Sequence, residues 1–168
     1  MAIRIESVRI ENGSQLICGT SDMRLSSLAD YAVVMMAAAA RHAAGAKLSA
    51  TILAAETGVP LPTAQKLAGK LAAAGLLETQ RGATGGFALA RSSETITLAD
   101  IIEAVEGRIA LTSCVEEAKH ECALESACKV RPHWGVVNEA VRGAFANVSL
   151  ASLTIPSPVR RVMAEEIA

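Results

Sequence analysis

The chain has 168 residues, enough for one compact domain or a small domain plus an extended dimerisation element, and too few for two large domains. Hydrophobic residues make up 51% but aromatics only 2%, with alanine carrying much of the apolar share, so the expected core is helices packed closely through small side chains. The net charge of −1 divides unevenly: residues 23–91 carry seven Lys/Arg against three Asp/Glu and residues 92–168 carry seven against eleven, which suits a basic DNA-reading half followed by an acidic sensing or pairing half.

No uninterrupted apolar run approaches the ~18 residues of a membrane span. Charged residues such as Arg4 and Glu6 stand where a secretion signal needs an apolar run, so a soluble, cytoplasmic protein is expected. In residues 1–22, Ile3, Ile5, Val8 and Ile10 alternate loosely with polar residues ahead of a Glu11-Asn12-Gly13-Ser14 turn. This reads either as a short hairpin or as a dispensable N-terminal extension.

A first helix is predicted from Ser26 or Ser27 as N-cap, with Leu28, Tyr31, Val34, Met35 and Ala38 on its apolar face, running to about Ala44 before Gly45. A second begins near Ser49, carries Ile52, Leu53 and Ala54, and stops at Gly58. Proline at a first helical position is pre-organised, so Pro62 opens a third helix that runs to Ala74 with Leu67, Leu71 and Ala74 inward. Residues 76–80 and 87–90 then form two short strands around the Gly-rich turn Arg81-Gly82-Ala83-Thr84-Gly85-Gly86. A helix-turn-helix followed directly by such a hairpin is a winged helix, so the predicted fold is mainly α, with a two-stranded wing.

A short helix over residues 98–106, capped by Thr97 and ended by Gly107, places Leu98, Ile101, Ile102 and Val105 on one side. From Arg108 to Pro132 the period breaks, and a loop or short helical turns are expected. Helical spacing returns from Trp134 to Val148, where Val137, Val141, Ala144 and Phe145 suit a C-terminal dimerisation helix, and the tail after Ser157 reads as mobile. The expected division is an extension (1–22), a winged helix-turn-helix domain (23–92), a cluster-binding loop with a dimerisation helix (93–153), and a tail (154–168).

Two constellations carry chemistry. Thr63, Gln65 and Lys66 occupy the first turns of the third helix, where an N-terminus entering the major groove brings side chains to base edges, with Lys70 behind them. Glutamine can read adenine bidentately, and lysine serves guanine or phosphate. Arg81 and Arg91 flank the wing and suit phosphate or minor-groove contact. Two lysines alone would be an ordinary solvated face; the order of elements around them makes the DNA reading the stronger.

The second constellation is Cys114, Cys122 and Cys128, three thiols within fifteen residues, set among Glu116, Glu117, Lys119, His120, Glu121, Glu125 and Lys129. That neighbourhood is too polar for packed core cysteines. Structural zinc sites favour close cysteine pairs, and no such pair occurs, so an iron-sulfur cluster is preferred over zinc. A zinc- or disulfide-dependent DNA-binding protein is the alternative, and a winged helix used only for protein contact is a third reading that the basic first half disfavours. Nothing in the pattern calls for an enzyme. Cys18 stands apart and is assigned no role.

Across residues 23–153 the sequence resembles the cluster-sensing winged-helix transcription regulators, the family of IscR, NsrR and the SUF-system regulators, and is nearest in pattern to the last. The resemblance rests on Met23-Arg24-Leu25-Ser26 through Asp30-Tyr31-Ala32, Gly58-Val59-Pro60, Ala74-Gly75-Leu76-Leu77, the run from Arg81 to Ala90, the three cysteines, and Arg131-Pro132-His133-Trp134. It implies a homodimer on a palindromic DNA operator. The regulator is expected to repress iron-sulfur assembly genes or genes of a redox or nitric-oxide stress response. Its cluster, [2Fe–2S] or [4Fe–4S], would be held by Cys114, Cys122 and Cys128. Where the IscR type has a ligating histidine, this chain has Arg131, which cannot ligate iron. In the NsrR type an aspartate near the start of the first helix completes the cluster from the partner subunit; Asp30 holds that place and is the first choice for fourth ligand, ahead of His133 and His120. An ordinary first-turn charge favourable to the helix dipole accounts for Asp30 equally well. Trp134 is read as a packing anchor.

Overall fold

The computed structural model describes residues 25–43, 45–80, 86–115 and 127–155. The anticipated N-terminal hairpin, the tip of the wing with Arg81, the middle of the cysteine loop with Cys122 and His120, and the tail after Ser157 all lie outside those residues. In chain order the elements are α1 (Ser27–Arg41), α2 (Ala50–Thr57), α3 (Leu61–Ala73), β1 (Leu77–Gln80), β2 (Gly86–Leu89), α4 (Leu98–Glu106), α5 (Arg131–Ala146) and α6 (Leu150–Thr154).

Local chemistry sets most of the boundaries. Ser26 caps α1 by accepting from the Ala29 amide, Ser49 caps α2 by accepting from Ile52, and Thr97 and Asp100 form a reciprocal capping box on α4. Gly58 ends α2 in the left-handed region at φ 75°, which turns the chain directly into α3. α1 stops at Arg41, three residues short of the expected end, because His42 is already extended. α5 begins at Arg131 rather than Trp134, since Pro132 fits the unpaired first turn of a helix. The sequence pattern missed α6, whose five residues are too few to show a period.

The core is one cluster. Met35 and Met36 of α1, Leu53 of α2, Leu67 and Leu71 of α3, Leu76 and Leu77, Phe87 of the wing, Ile96, Ile101 and Val105 of the α4 region, and Leu150 of α6 share it. Packing therefore runs straight through the division expected at residue 92. α1 packs against α4 and α6, and its Ala29, Ala32 and Ala38 are fully buried, small side chains that allow close approach. Tyr31 and Val34, expected on the inner face, are instead 37% and 38% exposed: the alanines, with Met35 and Met36, face the core. In α3 the inward set gains Ala64 and Ala68, while Ala74 serves as the exposed C-cap.

β1 and β2 pair antiparallel with Leu77 opposite Leu89 and Gln80 opposite Gly86. A third segment joins them, as Leu48 and Phe87 exchange backbone hydrogen bonds of 2.9 and 2.7 Å. A Cβ at Gly86 would stand 2.5 Å from the Leu48 carbonyl oxygen, so that approach requires glycine there. At the other end, Leu98 donates to Val148 and Leu150 to Ile96, which clamps α6 beside the start of α4.

Candidate nucleic-acid interface and cysteine segment

α2 and α3 meet at Gly58-Val59-Pro60, with Val59 buried as the pivot. Burial of Ala64, Leu67, Ala68 and Leu71 fixes which side of α3 looks out, and that side presents Pro62, Gln65, Lys66 and Gly69 to solvent. Gln65 and Lys66 are therefore open to solvent on that side. Thr63 and Lys70, seven residues apart and so stacked on one flank, are half-buried. Lys70 turns inward: its Nζ donates to the Val105 carbonyl in the last turn of α4. That bond gives it a structural partner in place of the outward position expected from sequence. Arg91 is exposed beside the wing, with its guanidinium 3.5 Å from Asp100, a separation that leaves the charge open to other partners.

The cysteine segment hangs from α4 and α5 by polar ties. Asn138 is the one buried residue of α5 and is 4% exposed. Its Oδ1 accepts from the Leu111 amide at 3.0 Å and its Nδ2 donates to the Ile109 carbonyl at 2.9 Å, pinning the chain just ahead of Cys114. Arg142 forks onto Glu103, Nε to Oε1 at 2.9 Å and one terminal nitrogen to Oε2 at 3.0 Å, which locks α5 to α4. Glu103 Oε1 also accepts from the Ile109 amide at 3.4 Å. The Arg142 hydrogen bond holds the Glu103 carboxyl below its ordinary value of 4.5, against the opposing push of burial, with the Ile109 amide adding to the lowering.

Cys114 and Cys128 are free and half-buried, on either side of the residues that carry Cys122. Cys114 Sγ lies 3.1 Å from the Thr112 hydroxyl oxygen, and Cys128 sits three residues before α5. Among the described residues no three His, Cys, Asp or Glu side chains converge. Asp30 is exposed in the first turn of α1, His133 is exposed in the first turn of α5, and Trp134 is half-buried there. Sequence reasoning missed Asn138 and the Glu103–Arg142 pair. The first looks like any helical asparagine, and the second joins residues 39 apart, beyond the reach of local pattern.

Among the described residues no helix is long and apolar enough to cross a membrane. The sequence profile of the Rrf2 family, described as iron-dependent transcriptional regulators, matches residues 25–155. The chain is 28% identical over 131 residues to the HTH-type transcriptional regulator IscR of Serratia proteamaculans, covering 78% of this chain and 79% of that one. Among solved structures it resembles the oxidized form of CymR from Staphylococcus aureus, with TM-score 0.60 and 26% identity over 80% of this chain and 98% of that one. It shares its fold with T. potens IscR at TM-score 0.58 and 24% identity, covering 89% of this chain and 96% of that one. A profile match across more than three quarters of the residues, on a winged helix with an outward recognition face, places this chain in the Rrf2 family, as a DNA-binding transcription regulator rather than an enzyme.

Proposed function

We propose that the chain is a homodimeric repressor of iron-sulfur assembly or related redox-stress genes, whose operator affinity depends on an iron-sulfur cluster held by Cys114, Cys122 and Cys128. One observation carries this reading: two free, half-buried thiols bracket the segment bearing the third, and the chain entering that segment is fixed by Asn138. The donor set fits the group, since soft thiolates suit iron-sulfur ligation and the two described ones are unpaired. When bound, the cluster supplies a redox-active centre whose loss or oxidation changes the charge and the ties of the loop. Asp30, open on α1, is the proposed fourth ligand, supplied across the dimer, with His133 and His120 next in order. The exposed Val136 and Val137 of α5 provide apolar surface for the pairing helix, with Val136 at 74% exposure.

On DNA, α3 enters the major groove with Thr63, Gln65 and Lys66 towards the base edges, while Arg81 and Arg91 hold phosphates beside the wing. Lys70, tied to Val105, positions α3 rather than reaching the duplex.

A second reading deserves a place because the chain resembles CymR, whose solved structure bears the description oxidized form. There the same thiols would act without a cluster, through a disulfide or zinc. Anaerobic reconstitution with ferrous iron and sulfide separates the two. The cluster reading expects a brown protein with visible absorbance, matched iron and acid-labile sulfide, and loss of colour in Cys122→Ala; a colourless wild type that binds DNA according to its thiol oxidation state supports the second reading instead.

A further inference from the structure

The last turn of α4 is a junction at which four neighbours are held by three groups. Glu103 binds Arg142 of α5 and the Ile109 amide of the cysteine segment. The Val105 carbonyl receives Lys70 of α3. Glu106 receives the hydroxyl of Ser26, the N-cap of α1. The segment leaving this turn is not packed in on all sides. A cavity of about 470 Å³ lies against it, lined by Leu25, Ser26, Ile102, Arg108, Val141 and Phe145 among others.

We infer that Glu103 and Arg142 are positioning residues that carry the state of the cysteine segment to the recognition helix through the last turn of α4. The inference rests on the sensing role proposed above. Glu103 Oε1 is shared: it accepts from Arg142 Nε and from the Ile109 amide at once, so displacement of residues 109–111 alters the hold of α5 on α4. Asn138 makes any such displacement a joint one, because it binds both Ile109 and Leu111 from within α5. The adjoining cavity gives the segment room to move without compressing the core. Two residues beyond Glu103, the Val105 carbonyl passes a shift of the turn to Lys70, one turn along α3 from Lys66. Charged and hydrogen-bonded groups thus connect the two regions in addition to the shared core, and coupling between them must be reciprocal.

Reciprocity supplies a test that needs no cluster. A duplex is first selected from a random pool by the wild-type protein, and the rate of Cys114 alkylation by iodoacetamide is followed by mass spectrometry, under anaerobic conditions, with and without that duplex. Alkylation samples the equilibrium population in which Cys114 is exposed, so bound duplex is expected to change the wild-type rate about fivefold, the lower end of ordinary coupling between sites. In Arg142→Gln the change should fall below about 1.5-fold while duplex affinity stays within about twofold, since neither Glu103 nor Arg142 lies on the DNA-facing side. Arg142→Lys, which keeps a cation able to donate to Glu103 and leaves the Ile109 bond in place, should recover at least half of the coupling, which a mere loss of stability would not do. The inference is overturned by coupling that persists in Arg142→Gln, by coupling lost there and not regained in Arg142→Lys, or by a wild-type rate indifferent to duplex. Failure to select any duplex would bring down the proposed function itself; a colourless protein that still shows the coupling would remove only the cluster.

Discussion

α3 and α5 are helices of similar length held by opposite means. α3 buries Ala64, Leu67, Ala68 and Leu71 in the shared core, whereas α5 buries only a polar residue, Asn138, and leaves Val136 and Val137 in solvent. Apolar burial is non-directional and fixes α3 as part of the shared core. Hydrogen bonds and an ion pair are directional and individually modest, so they fix α5 and the cysteine segment in one arrangement that a small change can exchange for another. Packing holds the helix-turn-helix, and replaceable polar ties hold the part of the chain that carries Cys114.

Leu67→Ala should break the first side of that contrast most severely. The side chain is fully buried, and its removal is expected to cost about 3 kcal/mol, lowering Tm by roughly 10 °C in thermal denaturation. A loss under about 1 kcal/mol would mean that the α3 core collapses around the gap, and that packing fixes α3 less firmly than argued.

Asn138→Leu attacks the other side. The substitution keeps similar bulk but leaves the Ile109 carbonyl and the Leu111 amide without their partner, at an expected cost of about 2 kcal/mol. Because the tie is local, amide exchange at Leu111 should accelerate far more than exchange at Leu67. Equal acceleration at both would show that α5 is part of the same cooperative unit as the core.

The carboxylate of Glu103 gives a smaller effect with a pH signature. Its pKa is lowered on folding, chiefly by Arg142, so its contribution is complete above about pH 4.5 and disappears as pH falls through the lowered value. Wild type should therefore exceed Glu103→Gln by about 1 kcal/mol at neutral pH, and the gap should close in acid. Urea denaturation of both proteins across that range measures it; a gap that widened in acid would have the wrong sign for a stabilising ion pair.

Legibility from sequence follows the same divide. The helix-turn-helix was readable because its signals are local: Ser49 before α2, Gly58 after it, prolines at the start of α3, and glycines around the wing. α4 was readable to the residue for the same reason, with Thr97 and Gly107 at its ends. The periodicity of α1 was read in part wrongly, since an alanine stripe carries little hydrophobic contrast and Tyr31 and Val34 drew the face towards themselves. The ties around the cysteine segment were not readable at all. Glu103 with Arg142, Asn138 with Leu111, and Lys70 with Val105 join residues 27 to 39 apart, and only the folded chain brings them together. Cys114 and Cys128 were legible as soft donors, while the convergence of all three thiols depends on Cys122, outside the described residues.

The smallest expected effect on the fold of a single chain is the sharpest test of why α5 leaves apolar side chains in water. Val136 is 74% exposed, so Val136→Glu removes almost no intrachain burial and should change the stability of the isolated chain by less than about 0.5 kcal/mol. If α5 is the pairing helix, the same substitution buries a carboxylate in an apolar seam, and sedimentation should move from dimer towards monomer. Melting of the wild type would then rise with protein concentration, because association stabilises by mass action, whereas melting of Val136→Glu would not. A wild type whose mass and melting temperature are both indifferent to concentration would leave the exposed face of α5 without a pairing role, and Asp30 without a second chain to reach.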